Sequence, residues 1–191
     1  MRHGDKVRGI GDVPLSERGI YEAHKAAVFL ASQKISYICA SPALRTMQTA
    51  EATAQLLKKK VCVDVRLKER IDYGEDGITD YNYYVHLCGK SSSDRSYILP
   101  NGNTSISCGK RFKKIINELM KKWYINSLIV SHGGIIADFL RNEFGDEYLN
   151  SMDVSFGKYK IVRSCSITTI SIDVHTKRIT LLKLNSVSHF L

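Results

Sequence analysis

Ser127-Leu128-Ile129-Val130-Ser131-His132-Gly133-Gly134 is the stretch whose reading decides the fold. Leu128-Ile129-Val130 is a short apolar run bounded by turn-forming residues, the pattern of a buried strand. A helical pattern follows to about Phe144, so strand leads directly into helix, half of a βα unit. In open α/β sheets ligands bind beyond the carboxyl ends of the strands. Glycine at that point lets the backbone approach an anion, which the helix N-terminus also attracts. His132 and Gly133 are therefore placed to meet a ligand. Taken alone, His132 reads first as a core histidine with its hydrogen bonds satisfied.

The same alternation runs upstream. Leu15 to about Gln33 is expected to be a helix with Ser16 as its N-cap and Ile20, Ala23, Ala27 and Leu30 on one face. Ile35–Ala40 follows as a buried strand, and Ser41-Pro42 opens a second helix, Ser as cap and Pro at the first helical position. Ala50, Ala54 and Leu57 form its inner face, and Val61–Val65 is strand-like. Ser105 to Tyr124 is a basic helix with Ile115, Ile116 and Leu119 turned inward. Ser166–Val174 and Arg178–Leu184 alternate well enough to pair as a terminal hairpin. Only the Gly-, Ser-, Asp- and Tyr-rich stretch from about Ile71 to Asn103 breaks the pattern, as an excursion over the sheet edge. The expectation is a single α/β domain over residues 1–191, a three-layer, mainly parallel sheet with helices on both faces and an insertion or cap at about 71–104.

Composition narrows the function classes. With 191 residues, 43% hydrophobic and 25% charged, the chain has the make-up of one globular domain. It has no apolar run of membrane-spanning length and no apolar leader. Five scattered cysteines include no C-x-x-C pair, so neither a zinc knuckle nor a dithiol redox site is signalled, and a cytoplasmic location is expected. No ligand spacing points to a metal or another cofactor. Lys and Arg number 28 against 19 Asp and Glu, a formal charge of +9. That excess favours an anionic partner: a phosphorylated small molecule, nucleic acid or acidic lipid. Lys58-Lys59-Lys60 and the Lys110–Lys122 cluster carry no interleaved aromatics, which disfavours nucleic acid and reads as solvated helix faces. Gly89-Lys90-Ser91 lacks its upstream glycine, position 84 being Tyr84, so it is not a phosphate-binding P-loop.

Three further segments join His132. Arg2-His3-Gly4 opens the chain; Ser41-Pro42-Ala43-Leu44-Arg45 puts an arginine in the first turn of a helix; Leu67-Lys68-Glu69-Arg70 puts a carboxylate just after a strand. Arginine at a helix N-terminus is electrostatically unfavourable, and a nearby anion would explain it. Separately, Arg45 and Glu69 read as surface residues. Together with Asp12-Val13-Pro14-Leu15-Ser16-Glu17-Arg18-Gly19, with Thr46-Met47-Gln48-Thr49-Ala50, with Asp72-Tyr73-Gly74 and with a loose Pro100-Asn101-Gly102-Asn103-Thr104 turn, they come in an order that resembles the histidine phosphatase superfamily, the phosphoglycerate mutase-like enzymes. The likeness spans nearly the whole chain and is closest to the small phosphatases, such as alpha-ribazole phosphatase.

The resemblance implies a phosphoglycerate mutase-like fold and a metal-independent phosphatase acting on phosphate monoesters of small molecules. It makes His3 the nucleophile that carries a phosphohistidine. Arg2, Arg45, His132 and Gly133 would hold the phosphoryl oxygens, and Glu69 would serve as general acid and base. The family also carries an apolar strand running into its Arg-His-Gly. Here only Met1 precedes Arg2, so that first strand is expected to be missing, the start lying downstream of the true one or the chain being a truncated form. Two alternatives stay open: a mutase-type phosphotransferase, and a degenerate phospho-ligand binder. Tyr81, Tyr83, Tyr84 and His86 of the insertion are candidates for contact with the organic part of a substrate, or for a packing surface.

Overall fold

The computed structural model describes residues 1–122, 124, 126–154, 156 and 162–191. Its helices are α1 (Glu17–Ala31), α2 (Leu44–Leu57), α3 (Tyr81–Ser93), α4 (Ser105–Lys121), α5 (Gly133–Phe144) and α6 (Asp146–Met152). Three parallel strands, β1 (Tyr37–Ala40), β2 (Val61–Val63) and β3 (Ser127–Val130), stand in the order β2-β1-β3. The chain closes with an antiparallel hairpin, β4 (Ile167–Ile172) and β5 (Ile179–Ser186).

Strand periodicity divides the core into two layers. Ile38, Ala40, Leu128 and Val130 pack with Ala26 and Leu30 of α1 and Ala50 and Ala54 of α2. Their neighbours Cys39 and Ile129 face the other way, towards Phe112, Ile115 and Ile116 of α4 and Ile135, Phe139 and Leu140 of α5. β1 and β3 therefore bury both faces, as parallel strands in α/β proteins do, while β2 at the edge stays largely exposed. This is the expected mainly parallel sheet with helices on both sides.

Residues 1–3 link the two sheets. Arg2 bridges to Ser131 in parallel. The His3 N–H donates to the Ser131 carbonyl (3.0 Å), the Ser131 N–H to the Met1 carbonyl (3.0 Å), and the terminal amine to the Ile129 carbonyl (2.8 Å). On the hairpin side the Arg2 N–H donates to Ser166 (3.1 Å) and the Cys165 N–H to His3 (3.0 Å). This segment lies beside the end of β3, parallel to it. Next to Met1 a cavity of about 750 Å³ opens between β3 and β4, lined by Leu30, Phe112, Ile129, Phe139 and Ile170 among others.

Local differences from expectation have identifiable causes. The second helix is capped at Ala43, not Ser41, and no side chain of its own caps it. Asp12 does that work from a distant loop, both of its carboxylate oxygens accepting from the Leu44 N–H (2.9 and 3.0 Å). On α1 the cap Ser16 is as expected, accepting from the Gly19 N–H. Ile20, however, is exposed, and small Ala26 takes a buried place instead. The 71–104 stretch contains a helix that its composition hides, α3, capped by Asp80. Within α3 only Leu87 and Ser91 are buried, too few to leave a periodic signal. Leu87 joins Ile71, Ile78 and Leu99 in a small core of their own. Among the described residues no helix is long and apolar enough to cross a membrane.

Candidate active site

His3 is fixed by its backbone, clamped between Ser131 and Cys165 as described, and its side chain is buried. The Gly4 N–H donates to Thr49 Oγ1 (3.1 Å), which in turn donates to the Arg45 carbonyl (2.7 Å), tying the loop to α2. Glycine is required where this loop crosses α1: a Cβ on Gly19 would lie 1.9 Å from the Asp5 carbonyl oxygen. Nδ1 of His3 sits 2.7 Å from the Gly4 carbonyl oxygen. A carbonyl only accepts, so Nδ1 carries the hydrogen and Nε2 the lone pair.

His132 closes β3 and precedes α5, as the sequence implied. Its ring meets that of His3 edge-on, centroids 5.3 Å apart. Arg45 Nη2 stands 3.1 Å from His132 Nδ1, and a guanidinium only donates, so Nδ1 is the acceptor. Nε2–H is then given to Ser41 Oγ at 2.8 Å. Arg45 also pairs with Asp72 (2.6 Å) and reaches Asp12 (3.5 Å). The anion that accounts for an arginine in the first turn of α2 is thus supplied in part by Asp12, the carboxylate that caps that helix. Arg2 Nη1 donates to the Val162 carbonyl (2.5 Å), and its side chain passes beside Gly133. Among the described residues the buried Nε groups of Arg2 and Arg45 have no hydrogen-bond partner. Such buried donors are uncommon in proteins and suit an acceptor from outside.

Glu69 lies at the N-terminus of α5, where the helix dipole favours an anion. Its Oε1 accepts from the Ile135 and Arg70 N–H groups and its Oε2 from the Gly134 N–H, all at 2.8 Å. Oε2, with one bond against two, keeps capacity for a proton. Of the insertion candidates, Tyr81, Tyr83 and His86 are exposed. Tyr84 is half-buried, and burial, then Cys88 and Glu69, keep its phenol protonated.

Of the six residues read from the sequence, Arg2, His3, Arg45 and His132 gather around two contacting rings, Gly133 follows His132 with the Arg2 side chain beside it, and Glu69 stands at the first turn of the helix that His132 opens. Asp12, Ser41, Thr49 and Asp72 were not assigned roles there. Asp12 and Asp72 lie inside the quoted motifs, but their pairing with Arg45 is a long-range contact without local periodicity. Ser41 carries an N-cap signature that the tertiary structure overrides.

Electrostatics keep both imidazoles neutral. Burial pushes His3 well below its ordinary 6.5, with His132 and Arg2 adding to the effect; burial and then Arg45 do the same to His132. Burial also lowers the Met1 amine from 8.0 to about 5. Each of these groups binds more protons unfolded than folded, so stability falls as pH drops below 8 and falls faster below 6.5. Between pH 8 and 6 stability should therefore fall, read as a falling urea midpoint. Below about 6 the half-buried Asp72 and the buried Asp138, both raised to about 6 chiefly by desolvation, gain protons in the folded state and offset the loss. A midpoint that stays flat from pH 8 to 6 would show that the three groups titrate as they do in water.

A family model described as histidine phosphatase superfamily (branch 1) matches residues 1–185. The probable phosphoglycerate mutase GpmB of Yersinia pestis (strain Pestoides F) is 36% identical over 161 residues, 76% of this chain and 73% of that protein. Its counterpart from Proteus mirabilis is 29% identical over 158 residues, with the same coverage. Among solved structures, a mycobacterial glucosyl-3-phosphoglycerate phosphatase in complex with VO3 superposes with a TM-score of 0.76 at 22% identity, over 97% of this chain and 96% of that one. The alpha-ribazole phosphatase of Shigella flexneri does so at 0.72 and 21%, over 97% and 94%. Fold, motif order and family model agree, and the chain belongs to the histidine phosphatase superfamily.

Proposed function

We propose that the protein hydrolyses phosphate monoesters of small molecules through a phosphohistidine on His3, as one domain with residues 71–104 as its cap. The observation that carries this reading is the tautomer of His3. Its proton is given to the Gly4 carbonyl, and a buried, neutral Nε2 keeps its lone pair beside Arg2, Arg45 and His132. Nε2 attacks phosphorus, the bond to the ester oxygen breaks, and Glu69 Oε2 gives that oxygen a proton. Water then attacks phosphorus and loses a proton to Glu69, and the P–N bond breaks to release phosphate. Arg2, Arg45 and the Gly133 N–H neutralise and orient the phosphoryl oxygens, and His132, its Nε2–H held by Ser41, accepts from Arg45 and fixes that guanidinium beside them.

The names of the relatives at 29–36% identity favour a second reading, transfer of the phosphoryl group from His3 to a hydroxyl instead of water. Rapid quenching during turnover of an aryl phosphate tests both. An acid-labile, base-stable phosphoenzyme is expected, with release of inorganic phosphate that survives a chelator. Rearrangement of 3-phosphoglycerate without phosphate release would favour the mutase. A chain that binds phosphate esters and forms no phosphoenzyme would be the non-catalytic binder.

A further inference from the structure

Resting on the reading of Glu69 as acid and base, we propose that Arg70 is a positioning residue that locks the Glu69 carboxylate and couples it to helix α3. Arg70 is buried, and all five of its guanidinium N–H groups are directed at acceptors. Nε and Nη2 grip the two oxygens of Asp138 at 2.9 Å each, one turn into α5. Nη2 also reaches the Gly134 carbonyl at 3.5 Å. Nη1 donates to Ser91 Oγ (2.8 Å) and Ser92 Oγ (3.0 Å) on α3. The Arg70 N–H is one of the three donors to Glu69, and its carbonyl accepts from Asn101 Nδ2 (3.0 Å) and Asn103 Nδ2 (3.2 Å).

Glu69 and Arg70 thus hold the same helix at two points, one through its first N–H groups and the other through Asp138. With both anchored, the carboxylate has one orientation relative to α5. Because α3 supplies the serines, any movement of that helix pulls on the residue next to Glu69. A lysine keeps the charge but offers a single ammonium, which cannot span Asp138 and both serines as a planar fork does.

The test compares leaving groups. Protonation matters for an alkyl oxygen and little for dinitrophenolate, so a positioning role predicts a selective loss. Arg70→Lys is expected to lower kcat on glycerol phosphate by about 30- to 100-fold, a part of the roughly 10²- to 10⁴-fold that general acid catalysis supplies, and on dinitrophenyl phosphate by less than about threefold, with KM little changed. Ser91→Ala/Ser92→Ala, which removes the two hydroxyl acceptors of Arg70 Nη1 and spares the buried ion pair, should show the same selectivity at about three- to tenfold. Glu69→Gln is the reference. If it is selective and neither other variant is, Arg70 has only a structural role and the proposal falls. If Glu69→Gln is itself unselective, or the wild-type chain is inert on both esters, the reading of Glu69 falls and takes this proposal with it.

Discussion

Replacing His3 by alanine should lower turnover of an aryl phosphate by about 10⁴-fold or more while leaving the protein folded. Removing the group that makes the covalent bond leaves only positioning and charge neutralisation, and in enzymes with covalent intermediates that residue accounts for the larger share of the rate. A factor of 10⁴ is about 5.5 kcal/mol of transition-state stabilisation. The structural cost is smaller. The Gly4 carbonyl loses one partner, worth about 1 kcal/mol, and the segment keeps its backbone bonds to Ser131 and Cys165. The phosphoenzyme signal should vanish together with turnover. Arg45→Ala separates the alternatives, since it leaves the nucleophile in place but withdraws the guanidinium that touches His132 and Asp72. It should slow turnover and still allow some phosphoenzyme to form. Turnover by His3→Ala within tenfold of wild type would sink the phosphohistidine mechanism, whatever the fold.

Much of this site was legible before any coordinates because its residues sit where periodic elements end. His132 follows an apolar run and precedes glycines, so strand-to-helix geometry alone places it at the ligand-binding edge of a parallel sheet. Glu69 was legible as a carboxylate just past a strand, although its strand is only Val61–Val63, followed by a 3-10 turn at Val65–Leu67. Contacts that join distant segments were not legible. Ser41 obeys a local capping rule, yet its hydroxyl meets His132, 91 residues away, and the cap of that helix comes from Asp12, 32 residues upstream. Capping statistics describe a helix and its own sequence; here a loop carboxylate satisfies both the orphan N–H and the adjacent arginine. Helix α3 was hidden for a different reason. It lies over the small Ile71-Ile78-Leu99 core, so one buried leucine suffices to seat it.

Asp138→Ala should be the most destabilising single change in the site region, by about 3–5 kcal/mol, because it leaves the buried Arg70 guanidinium without its counter-charge. Asp138 is fully buried on α5, grips Arg70 through both oxygens, and accepts in addition from Ser105 Oγ at the start of α4. Removing it orphans a charge and a hydroxyl together, and the low dielectric that strengthens the pair is what makes the unpaired group costly. For a chain of this size the loss corresponds to a fall in Tm on the order of 10 °C. The cost belongs to the broken pair rather than to the site's shape, so Asp138→Leu combined with Arg70→Met should recover much of the stability. The double variant should not recover turnover of an alkyl phosphate, since the anchor beside Glu69 stays lost. Thermal melting and urea titration of the two single variants and the double read the stability cycle, and alkyl phosphate kinetics read the chemistry. Near-neutral behaviour of Asp138→Ala would mean that water reaches Arg70 and replaces the carboxylate. Recovery of both stability and turnover in the double variant would show that Glu69 holds its orientation without Arg70.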